Sequence, residues 1–346
     1  MGKLEVVVGG QFGSEGKGAV GAELARRAHD DEVPYAAVRV AGPNAGHSAY
    51  DAQGRKWALR QIPVAGVANP YCALVIGAGS EVDEQVLREE VAALDHAGLQ
   101  VSERLWVDQS ATVIEGRHKQ AEAEFDLNGR LGSTAKGIGA ARADRAMRQA
   151  VLYGGDDVDT TALIRRHLAD GGTVMIEGTQ GYGLGQHAGF YPQCTSSDCR
   201  AIDFLSMAGV SPWDPHVDHL DVWVVLRTHP IRVAGNSGPL NGEMSWDELT
   251  ERSRGYIQPE QTTVTKKTRR VGAWDAQLAR AAVLANGGGA CKVALTFFDY
   301  WFPELAGATS QAVLEPRHWE MIEQVQDEAG APVHLLGTGP NSMVWV

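Results

Sequence analysis

Residues 3–20, KLEVVVGGQFGSEGKGAV, pass from an apolar strand through a glycine-rich turn into a helix. A turn of this kind puts backbone N–H groups and a helix N-terminus at the carboxyl end of a strand, where many α/β folds hold a phosphate. The spacing departs from the common phosphate loop, GxxxxGK[ST]. Five residues separate Gly10 from Gly16, and Gly18 stands where Ser or Thr would hold magnesium. Gly13, Gly16 and Gly18 let the backbone approach an oxyanion, Lys17 supplies a point charge, and Ser14 and Glu15 stand at the tip. A plain strand-to-helix turn needs one or two glycines, so a phosphate loop is the better reading.

Outward from this stretch, short β-branched runs alternate with helical patterns. LEVVVGG, YAAVRV, ALVIG, RLWVD, TVMIEG, VWVVLR, KVALTFF and VHLLG read as strands; EVDEQVLREEVAALDHAG, WDAQLARAAVLANGG and PRHWEMIEQVQDEAG read as helices. The alternation predicts an α/β fold with a mostly parallel central sheet flanked by helices, one large domain over residues 1–346, and a helix-rich insertion over about 116–169. Ligand loops in such sheets collect at the carboxyl ends of the strands. LEVVVGG, YAAVRV, TVMIEG and VHLLG each run into a loop rich in glycine and small polar residues, which predicts one shared rim.

A hydrophobic content of 44% and a charged content of 21% are those of a soluble globular protein. The formal charge of −12 argues against a polynucleotide partner, which is bound through broad positive surfaces. No apolar run is long enough for a membrane span, no signal-peptide layout opens the chain, and the four cysteines form no CxxC pair. A cytoplasmic protein is expected. Against this acidic background TKKTRRVG (265–272) is a concentrated cationic patch, either a solvated loop or a small-anion site.

Further candidates lie on the predicted rim. In AGPNAGHS (41–48), Asn44 and His47 occupy a loop flanked by glycines; a lone histidine is more often structural, but this one can stabilise charge on a substrate oxygen. LGSTAKGIG offers the Ser133 and Thr134 hydroxyls, and a helix after it carries Arg142, Arg145 and Arg148. MIEGTQGYGLG and YPQCTSSD bring Gln180, Thr195 and Ser196, able to bond a base edge or a phosphate.

Taken in order, these segments resemble the adenylosuccinate synthetases, a P-loop-related family, from residue 4 to about 341. QFGSEGKGA resembles the family's QWGDEGKGK, NAGHS its NAGHT, STAKGIGA its TTxxGIGP, EGTQG and YPQCTSS its EGAQG and YPxVTSS, and GTGP its closing STGP. The resemblance implies a ligase that phosphorylates the 6-oxygen of a purine nucleotide and lets the amine of L-aspartate displace that phosphate, with Mg2+ as cofactor. By matching position, His47 would be the acid at the 6-oxygen, and Lys17 with Gly13, Glu15, Gly16 and Gly18 would cradle the transferred phosphate. Asn44, Ser133, Thr134, Gln180 and Thr195 would hold the monophosphate nucleotide, with Arg148 reaching it from a partner subunit of a homodimer. Thr265, Lys267, Arg269 and Arg270 would fix the aspartate carboxylates; Phe297, Asp299, Gly337, Gly339 and Pro340 would meet the donor nucleotide; Ser14 and Gly46 stand at the metal positions.

Three positions depart from the family. Ser14 replaces a catalytic aspartate that takes the N1 proton, and a hydroxyl is a poor base near neutral pH. Phe297, in LTFFDYW, replaces the lysine of the guanine-reading LTKLD, although Asp299 persists. Lys267 replaces an arginine, exchanging a forked donor for a point charge. The first two changes resemble the bacteriophage branch, the 2-aminoadenylosuccinate synthases, which act on dGMP with aspartate and ATP or dATP: a hydroxyl leaves room for the 2-amino group of guanine. A chain shorter than the cellular enzymes is expected to suit that branch as well. An IMP- and GTP-dependent synthetase and a non-catalytic nucleotide-sensing paralogue remain the alternatives.

Overall fold

The computed structural model describes residues 2–155, 157–261 and 267–346. Its strands are β1 (Gly2–Gly9), β2 (Tyr35–Arg39), β3 (His47–Tyr50), β4 (Lys56–Leu59), β5 (Ala73–Ile76), β6 (Glu81–Val82), β7 (Leu105–Val107), β8 (Thr112–Val113), β9 (Thr173–Glu177), β10 (Val217–Arg227), β11 (Ile231–Arg232), β12 (Arg270–Val271), β13 (Lys292–Thr296), β14 (Val333–Gly339) and β15 (Ser342–Trp345). Nine of them form one sheet in the order β15-β14-β13-β10-β1-β9-β2-β5-β7, parallel except for the β14–β15 hairpin.

The sheet is apolar on both faces because helices cover both. Successive β1 side chains divide between two cores: Leu4, Val6 and Val8 join the layer of helices Thr160–Ala169, Ala201–Met207, Ala276–Asn286 and Pro316–Ala329, while Val7 joins the layer of Lys17–Asp30 and Glu84–His96. Aspartates cap three of these helices, at Asp83, Asp159 and Asp275, each accepting a backbone N–H from the first turn. Each predicted strand and helix is present, with ends shifted by a few residues. Within the helix-rich stretch, Thr160–Ala169 is not part of an insertion: Ile164 and Leu168 are fully buried in the main core. The helices beside the sheet are Gly116–Glu124, Leu127–Leu131 and Ile138–Ala146.

KVALTFF does not stay in the strand to its end. β13 stops at Thr296, and Phe297 takes a left-handed conformation, φ 57°, with its carbonyl accepting the Thr228 hydroxyl at 2.8 Å. The small β11–β12 ladder, closed over Trp246, Leu249 and Ile257, sets Arg232 opposite Arg270. Register does the same on the main sheet, where Arg39 of β2 pairs with Glu177 of β9.

Candidate active site

The loop after β1 folds around an internal carboxylate. Gly13 and Gly16 have φ of 90° and 88°, so the turn requires glycine there. Glu15, fully buried, accepts the N–H of Gln11 at 3.1 Å and of Gly13 at 2.7 Å, and pairs with the buried Lys17 ammonium at 2.8 Å. Gln11 exchanges two hydrogen bonds with the backbone of Arg227, one given at 3.0 Å and one received at 3.1 Å, which ties the loop to the end of β10. A Cβ on Gly18 would meet Ser48 O at 2.7 Å and His47 Cβ at 2.9 Å, so the glycine lets the helix Lys17–Asp30 start against β3. Lys17 and His47 are neighbours for that reason.

His47 is buried against two residues that the strand register supplies. Its Nδ1 lies 2.5 Å from Arg39 Nη1 and contacts Glu177 Oε1, which Arg39 also pairs with; Glu177 Oε2 accepts Val64 N–H at 2.8 Å. Burial, then the Arg39 guanidinium, push the imidazole down to about 4, against the opposing pull of Glu177. Burial raises the Glu177 carboxyl but Arg39 and His47 overcome it, so Glu177 is held below the ordinary range. His47 Nε2 is buried without a protein partner. That leaves one ring nitrogen open on an otherwise fixed ring.

Ser14 has cationic company. Its hydroxyl accepts from Arg269 Nη1 at 2.8 Å and its carbonyl from Arg227 Nη1 at 3.0 Å. Arg227 forks onto Glu260 (2.5 Å and 3.4 Å) and lies 3.8 Å over the Phe297 ring, while Tyr300 donates to Glu260 at 3.2 Å. Burial would raise the Glu260 carboxyl, but Arg227 and Arg269 hold it below the ordinary range. Asp299 is buried and accepts the Tyr256 hydroxyl at 2.5 Å; burial raises its carboxyl. The Phe297 ring also approaches the loop, 3.8 Å from where a Gly16 Cβ would stand. Gln180, left-handed at φ 58°, packs its Cα 3.2 Å from a Cβ placed on Gly13.

A second group lies around the β11–β12 ladder. Arg270 pairs bidentately with Glu243, at 2.7 and 2.6 Å, and donates to Ser237 Oγ at 3.1 Å and Gly238 O at 2.7 Å. Gly132, beside Ser133, packs toward Val233 and Ser237. Ser133 Oγ accepts Ala135 N–H at 3.2 Å, Thr134 is exposed, and Thr195 N–H donates to Leu184 O at 2.7 Å. Arg232, buried between Phe12 and Phe190, donates to Gln193 O at 2.9 Å and Pro239 O at 3.0 Å. Asn44 is half-buried on the loop before β3, and Lys267 is exposed. Thr265 lies outside the described residues. Gly337 packs on Thr296, Gly339 against Ser342, and Pro340 lines a small recess with Ala19 of the helix after the phosphate loop and Tyr50 of β3. Arg148 lies past the end of its helix, left-handed at φ 62°, exposed, and donating to Ala146 O at 2.6 Å.

The structure thus joins Ser14, Lys17, His47, Gln180, Arg269 and Phe297 at one rim, and adds Arg39, Glu177, Arg227 and Glu260. Arg39, Glu177 and Arg227 each end a strand at the carboxyl side of the sheet, the position that marks a polar residue for function. The magnesium positions fit less well. Ser14 Oγ already faces a guanidinium, Gly46 offers a neutral carbonyl on an exposed loop, and no group of three His, Cys, Asp or Glu among the described residues can hold a metal. Mg2+ takes carboxylates and phosphate oxygens, so the described residues build no protein-only cage for it, and its oxygen ligands would have to come in good part from bound nucleotide.

The family model of adenylosuccinate synthetases matches residues 6–155 and 156–301. The adenylosuccinate synthetase of Pyrococcus sp. (strain ST700) is 37% identical over 344 residues, covering 97% of this chain and 95% of that protein. That of Thermococcus onnurineus (strain NA1) is 38% identical with the same coverage. The expected shortness relative to cellular enzymes is therefore not found against these archaeal proteins. Among solved structures, the succinoaminodeoxyadenylate synthetase of cyanophage S-2L, bound to dGMP and to dATP as an energy donor, superposes with a TM-score of 0.79 at 28% identity over 98% of this chain and 93% of its own. The fully ligated adenylosuccinate synthetase of Plasmodium falciparum gives a TM-score of 0.83 at 19% identity over 100% of both chains, a likeness of fold.

Proposed function

Because the chain belongs to the adenylosuccinate synthetase family, we propose that it joins L-aspartate to the 6-position of dGMP at the expense of ATP or dATP, giving N6-succino-2-amino-2'-deoxyadenylate. It is a ligase that forms a carbon–nitrogen bond. The observation that carries the substrate reading is the state of Ser14: a small hydroxyl held by Arg269 at 2.8 Å, which leaves room for the 2-amino group of guanine where the bulkier aspartate side chain of the family would crowd it. The cyanophage protein bound to dGMP and dATP supports the same pair.

On this reading Lys17 and the loop N–H groups receive the transferred phosphoryl, and His47 Nε2 meets the 6-oxygen. A neutral imidazole at pH 7 is a weak acid, but an anionic phosphoryl at Nε2 gives the imidazolium a second negative partner beside Glu177 and raises its pKa on loading. Arg269 and Arg270, with Lys267 and Thr265, take the aspartate carboxylates, Arg270 releasing Glu243 to do so. On the donor side, Asp299 is buried and bonded by Tyr256, and Phe297 offers an aromatic face, a wall suited to adenine stacking rather than to guanine reading. Asn44, Ser133, Thr134, Gln180 and Thr195 hold the monophosphate, joined by Arg148 of a partner subunit. The exposed apolar side chains Met147 (67%), Val151 (47%) and Leu152 (45%), adjacent to Arg148 in sequence, favour a homodimer through this face.

A second reading, an IMP- and GTP-dependent synthetase, is favoured by the archaeal relatives. Initial rates with IMP, GMP, dGMP or dIMP, each with aspartate, Mg2+ and ATP, dATP or GTP, separate the two, with the succinyl product identified by mass. Product from dGMP with an adenine nucleotide is expected; best turnover of IMP with GTP establishes the second reading instead.

A further inference from the structure

The two altered positions, Ser14 on the acceptor side and Phe297 on the donor side, are joined by a single side chain. Arg227 is 1% exposed at the end of β10. Its guanidinium lies 3.8 Å over the Phe297 ring, donates at 3.0 Å to the Ser14 carbonyl, and is clamped from the outside by Glu260 at 2.5 Å. Its backbone is fixed by Gln11 of the phosphate loop, and Phe297 is pinned through its carbonyl by Thr228 and by Tyr300 N–H at 2.9 Å. Neither end of the stack can drift. A lysine at 297 would set a second cation on the face that Arg227 occupies, and like charges at that separation repel. Arg227 would then leave the ring and release the Ser14 carbonyl.

We propose that Arg227 is a positioning residue that couples donor to acceptor recognition: its stack on Phe297 sets the place of Ser14, so the wall that meets the donor nucleotide also shapes the wall that meets the acceptor base. The assignment of the two walls rests on the function proposed above. Cation–π contact with an aromatic face is strongest when desolvated, as here, and it requires an aromatic ring at 297 rather than an apolar residue of any shape. Position 14 and position 297 therefore changed within one contact network.

The test measures kcat and KM for both nucleotides in wild type, Phe297→Lys, Phe297→Leu, Phe297→Tyr, Arg227→Met and the double variant Arg227→Met/Phe297→Lys, using whichever substrate pair the wild type turns over best. Phe297→Lys and Phe297→Leu are expected to raise the acceptor KM about tenfold, in addition to any donor effect. Phe297→Tyr, which keeps the ring, should leave the acceptor KM within about twofold of wild type whatever its effect on the donor KM, and Phe297→Lys should add less than about twofold to the acceptor KM once Arg227 is Met. Thermal melts confirm that each variant is folded; should Phe297→Lys not fold, Phe297→Leu carries the same comparison. An acceptor KM that is unmoved while the donor KM rises, or acceptor effects of Phe297→Lys and Arg227→Met that simply multiply, overturns the coupling. Because the assay follows the preferred pair, a wild type that favours IMP and GTP refutes the substrate reading while the coupling is still tested.

Discussion

The His47 cluster and the Ser14 cluster each gather nitrogen-bearing side chains round one glutamate, Arg39 and His47 round Glu177 and Arg227 and Arg269 round Glu260, but only the first is closed. Glu177 and Arg39 are completely buried on adjacent strands, and their contact follows from sheet register. The Glu260 side chain is 24% exposed and arrives on a loop, where it faces both the Arg227 and the Arg269 guanidinium. The difference assigns the two clusters different freedoms. A group whose partners are fixed by strand pairing cannot be retuned without disturbing the core, whereas a group held by loop contacts can exchange a carboxylate for a hydroxyl and leave the sheet intact. On the function proposed above, proton handling falls to the rigid side and base selection to the adjustable side.

The largest expected effect breaks the closed cluster at its working atom. His47→Ala should lower kcat by roughly a hundred- to ten-thousandfold with little change in nucleotide affinity; a loss confined to folding would make the ring structural. Steady-state kinetics beside a binding titration decide between them. Next, Glu177→Gln leaves Arg39 buried without a counter-charge, and chemical denaturation should show a loss of about 3–5 kcal/mol.

The same cluster has a pH signature. Unfolded, an imidazole takes its proton near 6.5; in the folded chain His47 and His229 do so at about 4, each chiefly through burial with an arginine adding to it. Between those values the unfolded chain binds more protons, so the histidines' contribution makes stability fall as pH drops from 6.5 to 4 and levels off below that, where the depressed carboxylates such as Glu177 and Glu260 take over the loss. His47→Ala should flatten part of this slope in melts recorded across the range.

The smallest change sharpens the open cluster. Ser14→Asp puts a second carboxylate beside Arg269 and should stabilise the fold by about 1 kcal/mol or more, while lowering kcat/KM for the guanine nucleotide. Stability and guanine use moving in the same direction would remove Ser14 from base selection.

Much of the fold was readable along the chain because its elements obey local rules: apolar runs of strand length, helical periodicity, and aspartates before helices. The phosphate loop was readable too, since Gly13, Ser14, Glu15, Gly16 and Lys17 are contiguous. The partners of Ser14 were not. Arg269 lies 255 positions away and Arg227 213, and the contact between Arg39 and Glu177 spans 138. Arg148 was placed on a helix by its spacing from Arg142 and Arg145, but the helix Ile138–Ala146 ends before it.

By itself, then, the sequence determined the alternation of strands and helices, the loop chemistry at the carboxyl ends, and the residues, Ser14 and Phe297 among them, at which its motifs depart from those they resemble. Tertiary structure alone decided what those substitutions touch: that Ser14 faces guanidiniums, that Phe297 carries Arg227, and that His47 is neutral between Arg39 and Glu177. The physical reason is range. Backbone conformation and apolar periodicity are settled by neighbours within a few residues, whereas the field at a buried side chain is summed over charges that only the strand order brings together.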